Sequence, residues 1–246
     1  MALLKDEGIV VRTRPINEAD RIVTILSAKH GKIEAVARGA RRPRSRFVGS
    51  TLPFTHVVFA VFEGKGMHDL SQAEIISSFP ILRNDLLKLA YASYWMDLLE
   101  NLLEIQQSAE DVFNLTAKAL KELSEVDKPA LLSRLFELRL ADYLGWKPEL
   151  EACVRCGKTL DAPPYFFSAS MGGMVCQACR DGSTGEVPVL EETWQTLNNL
   201  QNNKSNRWPQ SISRRAEKEM AGLLHDFFRL QTGRAIKSFS FLQEVE

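Results

Sequence analysis

The sequence predicts an α+β protein of more than one domain, with a small N-terminal β-barrel followed by an α-helical domain. Three observations lead to this class. Apolar and polar residues alternate with period two from residue 8 to 77, apolar residues recur at helical spacing from residue 81, and all four cysteines lie between positions 153 and 179. A chain of 246 residues is long enough to form several compact units.

Five short strands are predicted in the first part of the chain. The segments are GIVVRTR (8–14), RIVTILSA (21–28), KIEAVARG (32–39), HVVFAVFEG (56–64) and MHDLSQAEIIS (67–77). Consecutive short strands of this kind favour a closed barrel, because closure leaves no edge strand exposed. An OB-fold barrel over residues 1–79 is the first choice, and an SH3-like barrel is the alternative.

Helical spacing replaces the strand pattern at Pro80. Helices are predicted over 81–107, over 110–126, from Pro129 to near Gly145, from Pro188 to Asn203 and from Ser211 to Gln231. We expect residues 80–150 and 184–246 to pack as one α-helical domain, because neither set alone can bury its apolar stripe. The cysteine-containing segment, 151–183, is then an insert in that domain.

The cysteines form two CxxC pairs, Cys153 with Cys156 and Cys176 with Cys179, separated by nineteen residues. Two such pairs bring four thiolates to one ion, and four sulfur ligands with no open position are typical of structural zinc. The expected cofactor is therefore a structural Zn²⁺. An iron–sulfur cluster and redox disulfides are the alternatives.

A second cluster lies between the third and fourth strands, in ARGARRPRSR (37–46), which we call the arginine loop. It has no acidic residue, and Gly39 and Pro43 oppose helix and strand, so we expect an exposed connector. Guanidinium groups suit phosphate because they are planar and offer several donors. The loop therefore indicates nucleic acid, although a solvated loop without a ligand is the simpler alternative. Its arginines are Arg38, Arg41, Arg42, Arg44 and Arg46.

The charge distribution agrees with a basic N-terminal part. Residues 1–80 contain 12 Lys and Arg against 8 Asp and Glu, and the remainder contains 19 against 23. On or beside the strands, Arg12, Arg14, Arg21 and Lys32 extend the basic surface. Four phenylalanines lie nearby: Phe47 and Phe54 are expected either in the barrel core or as faces for base stacking, and Phe59 and Phe62 are expected in the core.

Catalytic motifs and membrane segments are not apparent in the sequence. The four histidines are scattered, and no Walker-type loop, dinucleotide fingerprint or H-x-E deaminase motif occurs. The longest apolar runs are far shorter than the roughly 20 residues of a membrane span. We expect a cytoplasmic protein that is not an enzyme.

The combination of motifs resembles the bacterial RecO recombination-repair proteins. It comprises the segment GIVVRTRPINEADRIVTILSAKHGKIEAVARGARRPRSRFVGSTLPFT, the helical motif YASYW and the pairs CVRCG and VCQAC. The resemblance implies an OB-fold barrel that binds single- and double-stranded DNA, and a protein that anneals complementary strands. It also implies RecR and the single-stranded DNA-binding protein as partners, an indirect role in loading RecA, and association with the nucleoid.

Site residues carried over from the family fall on the same clusters. The loop from Arg38 to Arg46, together with Lys32, lies where the family's barrel presents basic residues to DNA. The four cysteines match the family's zinc module, which some members lack, so the resemblance implies a role for zinc in the fold. The functional prediction is a DNA repair and recombination mediator. The alternatives are an RNA-binding protein of translation or transcription, a zinc-containing nuclease, and a protein whose loop binds an acidic protein partner.

Overall fold

The N-terminal strands close into a barrel in the computed structural model of the chain, which describes residues 2–64, 67–105, 107, 109–202 and 212–246. The strands of the barrel are β1 (Leu3–Pro15), β2 (Arg21–Ser27), β3 (Gly31–Ala37), β4 (His56–Phe62) and β5 (His68–Ser77). Their order is β1-β2-β3-β5-β4, and β4 pairs back onto β1. All neighbours are antiparallel except β3 and β5, which pair in parallel. The predicted OB-fold barrel is confirmed.

The barrel core follows the predicted alternation. On β4, Val57, Phe59 and Val61 point inward and join a buried apolar cluster with residues of the other strands. Phe47 belongs to the same cluster, so of its two expected roles the structure favours the core. Phe54 is buried as well, and the guanidinium of Arg83 lies 5.7 Å from the centre of its ring.

The expectation that Phe62 lies in the core is wrong. Its residue is 41% exposed, at the end of β4. Phe62 lies three positions after Phe59, and positions separated by an odd number face opposite sides of a strand. Because Phe59 faces the core, Phe62 faces outward.

Seven helices and a small sheet follow in the described part of the chain. The predicted helix over 81–107 is interrupted at Asp85, whose carboxylate accepts a hydrogen bond from Lys88 N (3.0 Å) and caps a new helix. The predicted helix start at Pro188 is wrong, because Pro188 lies in a strand. The elements are α1 (Pro80–Asn84), α2 (Leu86–Leu102), α3 (Glu110–Glu125), α4 (Pro129–Tyr143), β6 (Tyr165–Ser168), β7 (Gly173–Cys176), β8 (Val187–Val189), α5 (Glu191–Asn202), α6 (Arg214–Thr232) and α7 (Ser238–Val245).

Contacts between residues divide the chain into two compact units. The first comprises residues 1–126 and 237–246, and the second comprises residues 127–236. In the first unit α7 returns to α2, where Ser238 N and Oγ donate to Asp97 Oδ2 (3.0 and 2.8 Å). In the second unit α4, α5 and α6 pack on one another beside the sheet β7-β6-β8. This grouping differs from the expected single helical domain over 80–150 and 184–246. Asn203, the predicted end of one helix, and Ser211, the predicted start of the next, lie outside the described residues.

Candidate nucleic-acid interface and metal site

The arginine loop leaves β3 through a series of tight turns. Gly39 adopts a left-handed φ of 70°, and its N–H donates to Asp20 Oδ1 (2.7 Å). Arg42 N then donates to the Gly39 carbonyl (3.0 Å), and Ser45 N donates to the Arg42 carbonyl (2.9 Å). The buried ring of Phe47 anchors the far end of the loop. The arginine side chains therefore extend from a short, folded connector.

Only one of the five loop arginines forms an ion pair within the described residues. Arg38 Nε donates a hydrogen bond to Asp69 Oδ1 (3.0 Å), and Arg38 Nη2 lies 2.8 Å from the same oxygen. Arg41 Nη1 donates instead to the backbone carbonyl of Asn17 (2.6 Å). These contacts orient both guanidinium groups, but a neutral carbonyl leaves the charge of Arg41 uncompensated.

Arg46 is held in a similar way. Its Nη2 donates to the Ser71 carbonyl (2.7 Å), and its guanidinium lies 4.9 Å from the centre of the Phe47 ring. Arg42 and Arg44 are exposed, and no protein group in the described ranges forms a hydrogen bond or ion pair with them. Four of the five loop arginines thus keep their positive charge unpaired.

Asp20 stabilises the base of the loop from the β1–β2 connector. The pKa of its carboxyl is lowered chiefly by the hydrogen bond from Gly39 N–H and next by the hydrogen bond from the Asn17 side chain. The charges of Arg38 and Arg42 contribute more weakly in the same direction. Asp20 therefore stays ionised and fixes the turn that begins the arginine loop.

The flanking basic residues have different surroundings. Arg14 is paired with Glu34 (3.3 Å), and Arg21 donates to Thr51 Oγ1 (3.3 Å). Both lie at the end of the barrel where the loop begins, since Arg21 pairs with Ala37 and Arg14 with Ile22. Arg12 lies 3.4 Å from Glu100.

Lys32 lies at the opposite end of β3. Its residue is only 8% exposed, and its ammonium group donates to the Glu100 carbonyl (2.7 Å). Arg38 lies six positions further along the chain, or about 20 Å away at the usual rise per residue of a strand. Its position therefore suits a structural role within the first unit better than the predicted DNA contact.

An open groove of about 590 Å³ runs beside the arginine loop. We call it the arginine groove. The loop supplies one wall, and Phe62 with Asp69 and its neighbours on β5 supplies the other. Sequence reasoning missed both Phe62 and Asp69 as site residues. The lining residues are Arg38, Gly39, Arg42, Arg44, Ser45, Arg46, Phe47, Phe62, Asp69, Leu70 and Ser71.

The four cysteines converge in the second unit. Their four Sγ atoms all lie within 4.8 Å of one another, and those of Cys156 and Cys176 are 3.8 Å apart. Thiolates about 2.3 Å from one tetrahedral ion lie about 3.8 Å from each other. Among the described residues this is the one group of three or more Cys, His, Asp or Glu with such an arrangement. The geometry is compatible with a zinc site.

Hydrogen bonds around the cysteines shift the pKa values of Cys153 and Cys179 in opposite directions. Burial opposes ionisation of Cys153, but N–H groups of Cys176, Cys156 and Arg155 outweigh it and lower its pKa to about 6. Hydrogen bonds with Cys156 and Cys176 raise the pKa of Cys179 to about 12. Four thiolates in so small a volume repel one another, so a cation is what allows all of them to ionise.

A salt-bridge cluster beside the cysteines links the first CxxC pair to the segment that follows the second pair. Arg155, inside the first CxxC pair, donates to Asp181 Oδ1 (2.9 Å) and Glu186 Oε1 (3.0 Å). The pKa of Asp181 is well below its ordinary value, chiefly because of the hydrogen bond from Arg155. Gly173 provides close packing, since a Cβ there would lie 2.6 Å from the Glu149 carbonyl oxygen. These contacts tie the two cysteine pairs together.

Among the described residues, no helix is long and apolar enough to cross a bilayer. The fold and the clusters together define a class: an OB-fold barrel with a basic loop that is largely free of ion pairs in the described part of the chain, followed by a unit of helices and a small sheet that contains a four-cysteine site. Two family models match the chain, Recombination protein O N terminal over residues 1–79 and Recombination protein O C terminal over residues 83–239. The chain belongs to the RecO family of DNA repair proteins.

Curated relatives match over nearly the full length. The DNA repair protein RecO of Symbiobacterium thermophilum is 38% identical over 249 residues, covering 100% of this chain and 98% of the relative. The RecO protein of Pelotomaculum thermopropionicum is 36% identical, covering 98% and 94%. That of Acetivibrio thermocellus is 32% identical, covering 100% and 98%.

Proposed function

We propose that the chain binds DNA through the arginine loop and acts as a mediator of repair and recombination without catalytic turnover. The observation that supports the proposal is that most arginines of the loop form no ion pair with a carboxylate among the described residues. Of the loop arginines, Arg38 alone forms an ion pair with a carboxylate in the described ranges. A concentration of uncompensated guanidinium groups on an OB-fold barrel suits a sugar-phosphate backbone.

Charge neutralisation is sufficient for the proposed action. Arg38, Arg41, Arg42, Arg44 and Arg46 contact phosphates, and Arg14 and Arg21 extend the surface at the same end of the barrel. Since phosphates are common to both forms, single- and double-stranded DNA bind to this surface. Two strands held there repel each other less, which favours annealing, and no covalent bond is made or broken.

The second unit is proposed to hold one structural Zn²⁺ through Cys153, Cys156, Cys176 and Cys179. Four sulfur ligands leave no position for water or substrate, so the ion contributes to folding. The convergence of the four sulfur atoms within 4.8 Å of one another supports this assignment.

Partners follow from the resemblance to the RecO family. We propose RecR and the single-stranded DNA-binding protein as direct partners. RecA is the indirect partner, as the recombinase that is loaded onto single-stranded DNA coated by that binding protein. Such a mediator works where bacterial DNA lies, at the nucleoid in the cytoplasm. Full-length similarity to proteins named DNA repair protein RecO supports this placement.

The test replaces Arg41, Arg42, Arg44 and Arg46 together by Ala, and in a matched control by Lys. Each phosphate contact contributes about 0.7 to the log–log salt slope on single strands, so the Ala variant should flatten the slope by up to about 3. The Lys variant keeps the charges and should keep the slope. Fluorescence anisotropy with labelled single strands and duplexes at several salt concentrations measures this.

The same titration with a ribo-oligonucleotide of matched sequence tests the RNA alternative. A preference for the RNA strand would favour that alternative. Unchanged affinity and slope in the folded four-Ala variant would reject the arginine loop as the DNA contact. Circular dichroism establishes that the variants are folded.

A further inference from the structure

Phe62 is an exposed aromatic ring placed among cationic side chains. It is the last residue of β4 and lies on the outer face of the barrel, opposite Asp69 of β5 and Leu3 of β1. The inward positions of β4 already fill the core, so the barrel does not need this ring for packing. Its exposed face borders the arginine groove. An exposed aromatic ring beside a positively charged groove is the arrangement on which the bases of a nucleic-acid strand stack.

The groove separates two kinds of ligand chemistry. Arg42, Arg44 and Arg46 give the loop side its positive charge, whereas the side around Phe62 also contains the carboxylate of Asp69. A phosphate is attracted to the loop side, whereas the carboxylate of Asp69, which is paired with Arg38 in the free protein, makes the side around Phe62 less attractive to it. A flat, neutral group is therefore favoured over Phe62 when phosphates occupy the loop.

A nucleobase attached to a bound phosphate meets this description. Every base has a π face that stacks on aromatic side chains, and such stacking tolerates any sequence. In a duplex the faces are covered by neighbouring pairs, so only an unpaired base is free to stack on a protein ring. The volume of about 590 Å³ lies within the range of roughly 300–1,000 Å³ usual for small-ligand sites.

We propose that Phe62 is the stacking platform for one unpaired base of single-stranded DNA, while the loop arginines hold the adjoining phosphates. This inference rests on the proposed function and adds a determinant of strand type to it. The arginines serve both single strands and duplexes, and Phe62 favours single strands alone.

The experiment compares wild type with Phe62→Ala and Phe62→Trp in the full chain. Phe241→Ala is the matched control, because Phe241 is a similarly exposed phenylalanine on α7. The probes are a labelled oligo-dT strand, a blunt duplex of the same length, and a fully abasic strand that keeps the phosphates without bases. Anisotropy titrations at one salt concentration give the dissociation constants.

Phe62→Ala should weaken oligo-dT binding about 5-fold or more, the lower end of the effect of one stacked base. Duplex and abasic-strand affinities should stay within about 2-fold of wild type, and Phe62→Trp and Phe241→Ala should bind oligo-dT like wild type. Equal loss on dT and abasic strands would overturn the inference, because the ring would then act through the phosphate contacts.

The two proposals fail in different ways. If Phe62→Ala binds oligo-dT normally while the four-Ala loop variant does not, the stacking role is refuted and the arginine loop stands. If the four-Ala variant binds all DNA normally, the proposed function itself is refuted, whatever Phe62 does.

Discussion

Asp69→Asn should strengthen DNA binding, because Asp69 is the carboxylate that competes with phosphate for a loop arginine. Arg38 reaches one Asp69 oxygen with Nε (3.0 Å) and Nη2 (2.8 Å), and the two side chains are 72% and 44% exposed. An ion pair this exposed contributes about 0.2–1 kcal/mol. DNA must break it to engage Arg38, so its removal should tighten binding by about 1.4- to 5-fold.

The asparagine keeps the shape of the side chain and removes its charge. Arg38 contacts a phosphate in both proteins, so the salt slope on single strands should change by less than the roughly 0.7 that one added contact would give. Anisotropy titrations from low to physiological salt measure both quantities. Asp226→Asn is the control, since Asp226 is also an exposed carboxylate beside an arginine, Arg229 (3.4 Å), but lies in the second unit. Unchanged or weaker binding by Asp69→Asn would refute the competition.

Two further predictions concern stability. Cys153→Ser removes one thiolate of the proposed zinc site, so the purified variant should contain less than one zinc per chain by mass spectrometry and should unfold at a lower temperature than wild type. Equal zinc content in both proteins would contradict the assignment. Asp6→Asn should lower the free energy of unfolding at pH 7 by about 1–3 kcal/mol, because Asp6 is a buried acceptor for Ser27 Oγ and Lys29 N. Burial alone would raise the pKa of Asp6, but these hydrogen bonds outweigh burial and lower the pKa below its ordinary value of 3.8. The stabilisation is therefore complete at a pH above the pKa of Asp6 in the unfolded chain. It is lost as the pH falls through the lower pKa of Asp6 in the folded protein. Urea denaturation at pH 7 and near pH 3 should show a steeper acid loss in wild type than in Asp6→Asn, and parallel losses would contradict the role of Asp6.

The barrel was predictable because its inside and outside impose period two on the sequence. The same rule places Phe62 outside once Phe59 is inside, so the sequence contained the signal and the assumption that large aromatics are buried obscured it. The exposed loop was predictable too, from Gly39 and Pro43 among the arginines.

The features that sequence reasoning missed depend on residues distant in the chain. Asp69 lies beside Arg38 because β3 and β5 pair in parallel, with Val36 opposite Asp69. Lys32 is held by the carbonyl of Glu100, 68 residues later. Pro188 suits either the first turn of a helix or an edge strand, and its pairing with Phe166 of β6 decides for the strand. Local patterns contain no information on such pairings.

The way in which each loop arginine is held determines how much charge it offers to a ligand. Arg41 and Arg46 donate to backbone carbonyls, which fixes the side chains without cancelling their charge. Part of the entropy loss of binding has therefore already occurred in the free protein. Arg38 is held by the carboxylate of Asp69 instead, and the negative charge of that carboxylate offsets part of the positive charge of Arg38. The loop thus combines oriented, fully charged donors with one arginine whose charge is released only when a phosphate displaces Asp69.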